Sequence, residues 1–138
     1  MATGKLTAHS FGVAADDWNV LQTARPNILL IGSDAAVAGF LQLLLPLLKP
    51  PIVYSSDGTR TLPASRGGTL ILRDVPQLGP RDQQRLSDWL AGPEQGTQVV
   101  STSSCSLYPM VERNALSAPL YYCLNVITLG LTEPDGVG

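Results

Sequence analysis

Charged residues are scarce in this sequence. They make up 14% of its 138 residues, and the net charge at pH 7 is −2. A protein that binds nucleic acid or an anionic membrane through electrostatics needs a patch of basic side chains. We therefore expect no direct nucleic-acid contact and no membrane contact. A helix-turn-helix segment is also lacking, so promoter binding would have to come from a partner.

Histidine and cysteine are scarce as well. The single histidine, His9, lies in a polar N-terminal segment, so the sequence predicts no histidine-based metal site and no catalytic histidine. The two cysteines, Cys105 and Cys123, occur in a chain whose N-terminus lacks the pattern of a signal peptide. These features predict reduced thiols in a cytoplasmic protein.

No apolar run is long enough to span a bilayer. The longest, "AAVAGFLQLLLPLL" over residues 35–48, has 14 residues and is interrupted by Gln42 and Pro46, whereas a membrane-spanning helix needs about 20. This run is instead typical of a helix buried in a protein core. We predict that Ser33 or Asp34 caps it and that Pro46 distorts its last turn.

Strand patterns and helix patterns alternate along the chain. The predicted strands cover 27–33, 51–56, 69–75, 97–104 and 126–131. The predicted helices cover 16–24, 34–48 and 79–92, followed by a helical or turn-helix segment over 107–125, and a turn-rich loop covers 57–68. This alternation predicts one three-layer α/β/α domain around a mostly parallel sheet. We expect a flexible segment over 1–15, the domain over 16–131 and a polar tail over 132–138.

Three segments carry a resemblance to a known family. "QVVSTSSCSLYPMVERNALSAPLYYCLNVITL" (98–129) aligns without a gap on a family pattern that ends in Leu-Tyr-Tyr-Arg-Leu-Asn-Val. "GGTLILRDV" (67–75) is similar to Gly-Gly-Thr-Leu-Phe-Leu-Asp-Glu-Val, with Gln84 and Leu86 expected in the family's places on the next helix. "ILLIGSDAAVAGF" (28–40) is similar to a phosphate-binding strand and loop. Over 24–131 the chain resembles the AAA+ sigma-54 interaction domain of bacterial enhancer-binding proteins, which implies a P-loop NTPase-like core.

The phosphate-binding loop of this family is altered here. In the pattern G-x-x-x-x-G-K-[ST], backbone N–H groups curl around the phosphates, the lysine neutralises their oxygens, and the hydroxyl holds magnesium. Gly32 opens the motif, but the last three positions of the pattern hold Val37, Ala38 and Gly39. Without the lysine, a nucleotide tail would face only a helix N-terminus, and Asp34 would oppose it.

The other catalytic positions are altered too. Where the resemblance implies a magnesium-binding Asp and a water-polarising Glu, the chain has Arg73 and Asp74, and Asp74 is better explained as a solvated or Arg-paired carboxylate at a strand end. Ser104 replaces the sensor asparagine, whereas Ser117 and Cys123 replace the two arginine fingers. In the middle of "LYYCLNVI", Cys123 is better explained as a buried apolar residue than as a redox thiol.

Two parts of the family are missing as well. The interval "SSDGTRTLPASR" (55–66) has no room for the loop that contacts sigma-54, and the chain ends before the helical lid, so the predicted core is minimal. These losses predict no catalytic residues, no cofactor and no hydrolysis, so residual ATPase activity is the least favoured hypothesis. The favoured one is an inactive module for protein contacts in transcription regulation or signalling, and its partner could be an enhancer-binding ATPase or a signalling protein.

Four apolar side chains could line a contact surface for such a partner, although each is also suited to fill the core. They are Trp18, Trp89, Tyr108 and Met110. The alternative hypothesis is a domain that binds a nucleotide or another anion at the carboxyl edge of the sheet, with weak or no hydrolysis. The sequence leaves the partner and the oligomeric state open.

Overall fold

Five short strands form one parallel sheet in the computed structural model, which describes residues 6–55, 62, 67–92 and 96–134. They are β1 Ile28–Ile31, β2 Ile52–Ser55, β3 Thr69–Leu72, β4 Gln98–Ser103 and β5 Ile127–Gly130. Each lies inside a predicted strand, and β1, β3 and β4 are almost wholly buried. Strands covered on both faces need apolar side chains on both, which explains their continuous apolar runs.

The helices also follow the predicted order. They are α1 Ala15–Thr23, α2 Asp34–Leu44, α3 Pro80–Leu90, α4 Tyr108–Glu112 and α5 Ala118–Leu124. The predicted long helix over 34–48 is α2 followed by a 3-10 turn over Leu45–Leu47, because Pro46 lacks the N–H that an α-helix would need there. Among the described residues, no helix has both the length and the apolar character needed to cross a membrane.

The strands lie in the order β2-β3-β4-β1-β5. The chain runs from β1 to the edge strand β2, returns through β3 and the central strand β4, and ends in β5 on the other side of β1. Ile28 of β1 is in register with Val100 of β4 and with Ile127 of β5. Because all pairs are parallel, the segments that follow β1, β3 and β4 meet at the carboxyl edge, where open α/β sheets hold their ligands.

One hydrophobic cluster lies on each face of the sheet. The first joins β1 and β5 to α1 and α2, with Phe40 and Leu44 fully buried. The second joins β3 and β4 to α3, α4 and α5, with Leu86 and Leu120 almost fully buried. This arrangement confirms the predicted three-layer α/β/α fold.

The packed unit begins earlier than predicted. Phe11 and Val13 are 0% and 3% exposed, and the Phe11 ring lies edge-on to Phe40 with 5.8 Å between centroids. The Thr132 N–H donates to the Phe11 carbonyl over 2.9 Å, so packing also continues past residue 131. The expected flexible segment over 1–15 therefore does not hold for residues 8–13, because an apolar contact fixes them. Residues 1–5, 135–138 and most of the predicted loop over 57–68 lie outside the described residues.

Candidate functional site

The segment in the place of the phosphate-binding loop is a helix. α2 begins at Asp34, two residues after Gly32, so the positions from 34 to 39 are helical. The N–H of Ala36 donates to the Ser33 Oγ (3.1 Å), and the N–H of Val37 donates to the Ser33 carbonyl (2.9 Å). Hydrogen bonds inside the protein therefore satisfy backbone groups that a phosphate cradle would present to its ligand.

Several positions in this segment pack against the core. Val37 is 3% exposed, and a Cβ at Gly39 would lie 2.9 Å from two ring carbons of Phe11. Ala38, in the lysine position, is exposed. Gly32 packs against Leu131, where an added Cβ would lie 3.1 Å from the Leu131 Cβ. Gly32, Val37 and Gly39 thus serve to pack α2 against its neighbours.

The N-terminus of α2 is already capped and is flanked by carboxylates. The Ser33 hydroxyl accepts from the Ala36 N–H and donates to the Glu133 carboxylate over 3.1 Å. Asp34 lies in the first turn and is exposed. Carboxylates stabilise this end of a helix by about 0.3–1 kcal/mol each through the helix dipole. The same negative charges oppose the approach of a phosphate.

Arg73 and Asp74 follow β3 at the carboxyl edge. The Arg73 N–H donates to the Ser55 carbonyl (2.9 Å), and the half-buried side chain has a buried Nε that finds no hydrogen-bond partner among the described residues. Asp74 is exposed, has a φ of 58°, and donates its N–H to the Thr102 Oγ1 over 3.0 Å. The guanidinium of Arg73 and the exposed carboxylate of Asp74 thus both follow the end of β3.

The sensor and arginine-finger positions lie apart. Ser104 follows β4 at the carboxyl edge and is exposed. Ser117 caps α5 with its side chain, 3.4 Å from the Leu120 N–H. The Cys123 carbonyl accepts from Asn27, which precedes β1, so Cys123 lies at the amino edge. The structure thus brings Gly32, Arg73, Asp74 and Ser104 to one edge and places Cys123 at the other.

The prediction of a buried Cys123 is wrong. Both cysteines are free and exposed, and Cys123 lines an apolar cavity of about 270 Å³ between α3 and α5. The helical period explains the error, because α5 turns Leu120 and Leu124 to the core and leaves Cys123 on its outer side. In the described part of the chain, no group of three His, Cys, Asp or Glu residues could hold a metal ion.

The four apolar candidates for a contact surface have different environments. Met110 is buried at 8% exposure, and Trp18 and Trp89 are half-buried against the two clusters. Tyr108, at 47% exposure, is the most exposed of the four. Met110 is therefore a core residue, and Tyr108 alone of the four is an exposed residue.

Sequence reasoning missed the buried glutamine on α3. Gln83 is 8% exposed, and its amide donates to the carbonyls of Leu78 (3.1 Å) and Ala115 (2.9 Å). Its Oε1 accepts the N–H of Ser117 over 2.9 Å. Gln84, which the family resemblance places at a family position on this helix, is exposed and donates to Asp88. Two adjacent glutamines offer no local signal that separates the buried one from the exposed one.

The parallel sheet, its strand order and the capped helix after β1 define an α/β fold of the P-loop NTPase class. The sequence profile of the sigma-54 interaction domain matches residues 22–133, and the chain belongs to this family. No curated protein matched the chain.

Solved structures share the fold. The P-loop NTPase domain of an E. coli sigma-54 transport activator is 18% identical, with a TM-score of 0.59 over 81% of this chain and 94% of that one. NtrX from Brucella abortus in complex with ATP is 16% identical, with a TM-score of 0.63 over 83% of this chain and 33% of that one. NtrX in complex with ADP is 15% identical, with a TM-score of 0.59 over 82% of this chain and 33% of that one. The chain thus spans about a third of the length of these NtrX structures.

Proposed function

We propose that this chain is a catalytically inactive sigma-54 interaction domain that acts as a protein-interaction or regulatory module in transcription regulation or signalling. One observation carries this proposal. α2 begins two residues after Gly32, and the N–H groups of Ala36 and Val37 donate to Ser33. Two N–H groups that a phosphate tail would need there are thus already bonded, and the segment from 32 to 39 has no lysine.

Charge at the carboxyl edge supports the same proposal. Nucleotide hydrolysis in this class needs a magnesium ion that neutralises the phosphates, and an acidic side chain holds that ion. The corresponding position is Arg73, whereas Asp34 and Glu133 flank the end of α2 that phosphates would have to approach. The charges are thus the reverse of those that a magnesium nucleotide requires at both places.

Exposed apolar side chains support a role in protein contacts. Tyr122 on α5 and Val126 just after it are both 62% exposed, and Tyr108 on α4 is 47% exposed. The rings of Tyr121 and Tyr122 lie 5.2 Å apart, and those of Tyr108 and Tyr121 lie 6.1 Å apart. Tyrosine provides large contact areas at low entropic cost and is enriched in interfaces. The proposed partner is a cytoplasmic protein such as an enhancer-binding ATPase.

The alternative function is binding of a nucleotide or anion with weak or no hydrolysis. Its support comes from NtrX, a fold relative whose structures are in complex with ADP and with ATP. A helix N-terminus can hold an anion without a lysine. The cap by Ser33 and the nearby carboxylates count against this function at α2.

The two functions are separated by isothermal titration of the chain with ATP and ADP, with and without magnesium. We expect no saturable heat from the wild-type chain, and none from Ala38→Lys, because a lysine on an exposed turn of α2 does not rebuild the loop. Saturable binding that Ala38→Lys strengthens about tenfold would instead establish a phosphate site at this helix.

The protein contact is tested in the same preparation by adding the chain to a purified enhancer-binding ATPase and measuring the ATPase rate of the mixture. The chain alone is expected to show no turnover, and the chain in excess is expected to change the rate of the partner. Tyr122→Glu should remove this effect, whereas the matched surface change Gln84→Glu should preserve it. If the ATPase rate is unchanged at a saturating concentration of the chain, the proposal that this ATPase is the partner is wrong.

A further inference from the structure

A small polar cavity lies at the amino edge of the sheet, opposite the edge that holds Gly32 and Arg73. Its volume is about 180 Å³. It is bordered by residues that precede β1, β2, β3 and β4, among them Arg25, Lys49, Gly68 and Gly96. Pockets for drug-sized ligands usually measure 300–1,000 Å³. This cavity therefore suits only a compact ligand.

The charge of the cavity is positive. Of the described residues that line it, Arg25 and Lys49 are charged and none is acidic. Both cations are exposed, so their side chains have room to turn towards a ligand. An anion between them would gain charge-assisted hydrogen bonds, about twice as strong as neutral ones.

Hydrogen bonds hold the two amide side chains in the cavity lining, those of Asn27 and Gln98, in place. The Asn27 Nδ2 donates to the Cys123 carbonyl (2.9 Å), and its Oδ1 accepts the Val99 N–H (2.8 Å). The Gln98 Nε2 donates to the Pro26 carbonyl over 2.7 Å. These bonds fix both amides before any ligand arrives, which lowers the entropic cost of binding.

One acceptor in this lining lacks a donor. Gln98 is 8% exposed, and its Oε1 is buried with no hydrogen-bond partner among the described residues. The hydrogen bond from Nε2 to the Pro26 carbonyl sets the orientation of the amide. If the amide were flipped, its oxygen would lie against the oxygen of that carbonyl. A buried polar atom without a partner is unusual and costly in a folded protein. A ligand that brings a donor, and displaces the atoms that cover this oxygen, would satisfy it.

We propose that this cavity binds a compact oxyanion that carries its own O–H group, with inorganic phosphate as its simplest representative. Arg25 and Lys49 bind the anionic oxygens, and the O–H of the ligand donates to the Gln98 Oε1. This site is separate from the nucleotide position of the family, since the two lie at opposite edges of the sheet.

The test is a titration of the full chain with phosphate and, separately, with sulfate, followed by the amide NMR signals of Gly68, Gly96 and Thr97, with ionic strength kept constant by chloride. Sulfate has a similar shape and charge but carries no O–H near neutral pH. We expect saturable shifts with phosphate and a dissociation constant for sulfate at least fivefold higher.

Two variants and one control complete the experiment. Arg25→Gln and Lys49→Gln should each raise the phosphate dissociation constant about tenfold. Arg85→Gln, which removes an exposed cation from α3, should leave it within twofold. The proposal would be overturned by any of three results: NMR shifts that do not saturate with phosphate, an affinity for sulfate equal to that for phosphate, or a wild-type affinity for phosphate in both cavity variants.

Discussion

At the residue scale, the pair of glycines before β3 shows why one sequence motif has its composition. Gly67 and Gly68 have φ values of 81° and 84°, in the left-handed region that favours glycine. A Cβ on Gly68 would lie 2.4 Å from the Pro51 carbonyl oxygen, which accepts the N–H of Thr69 (3.0 Å), whereas a Cβ on Gly67 would meet nothing within 4 Å. Gly67 is thus needed for its left-handed backbone conformation. Gly68 is needed for the same conformation and also because a Cβ would clash with Pro51.

These two glycines are expected to differ in their response to alanine. Gly67→Ala should lower the free energy of unfolding by about 1 kcal/mol, the cost of a left-handed alanine. Gly68→Ala should lower it by about 3 kcal/mol or more, because the methyl group also displaces the Pro51 carbonyl. Urea denaturation followed by circular dichroism measures both. Equal losses would show that the contact with Pro51 has no energetic weight.

At the scale of elements, Gln83 joins parts of the chain that local sequence patterns do not connect. Its side chain bonds the carbonyl of Leu78 ahead of α3, and it bonds Ala115 and Ser117 between α4 and α5. The helices themselves were predictable from caps, proline positions and apolar spacing. Their packing through one buried amide depends on residues more than 30 positions away, so a local pattern could not predict it.

Replacing this amide should be costly. Gln83→Leu leaves two carbonyls and one N–H without their partner, and at about 1 kcal/mol or more for each group we expect a loss of about 3 kcal/mol in the free energy of unfolding. The matched change Gln84→Leu removes only an exposed contact with Asp88 and should cost less than about 0.5 kcal/mol. Urea denaturation of both variants is the measurement. A Gln83→Leu variant as stable as Gln84→Leu would contradict this role.

At the scale of the whole molecule, the N-terminal segment completes one of the two cores. Phe11 packs on Phe40 and against Gly39 of α2, and its carbonyl binds Thr132 after β5. The family resemblance gave Gly39 the place of a magnesium-binding hydroxyl. In this fold its small size instead admits an aromatic ring, so a position of catalytic importance in the family pattern has a packing role here.

This contact predicts that Gly39→Ala changes the free energy of unfolding in opposite directions in the presence and in the absence of the Phe11 ring. Alanine is favoured over glycine inside a helix by about 1 kcal/mol, but a Cβ at Gly39 would lie 2.9 Å from the buried Phe11 ring. Gly39→Ala should therefore destabilise the wild-type chain by about 1–2 kcal/mol. In a Phe11→Ala background, itself less stable by about 3–5 kcal/mol, the same change should stabilise by up to about 1 kcal/mol.

A double-mutant cycle from four urea unfolding curves measures this coupling. The same sign of the Gly39→Ala effect in both backgrounds would show that Phe11 does not occupy this place in solution. The cycle therefore also tests whether the packed domain begins before residue 16.

The sequence by itself determined the order of strands and helices, the parallel α/β/α architecture and the family. Apolar runs such as that of β1, and stop signals such as Pro46, act over a few residues and are visible in a single segment. The expectation that Ala38 stands in the place of the family's lysine and Arg73 in that of an acidic residue also came from the sequence alone, because the identity of a residue limits its chemistry wherever it lies.

Only the tertiary structure decided how those residues are used. It placed Cys123 on the outer side of α5, buried Gln83 rather than Gln84, and brought Phe11 onto Gly39. It also gathered Arg25 and Lys49, which precede different strands, around one cavity. The physical reason is common to all four: each depends on contacts between segments far apart in the chain, which form only when the sheet aligns its strands and the helices pack on its faces.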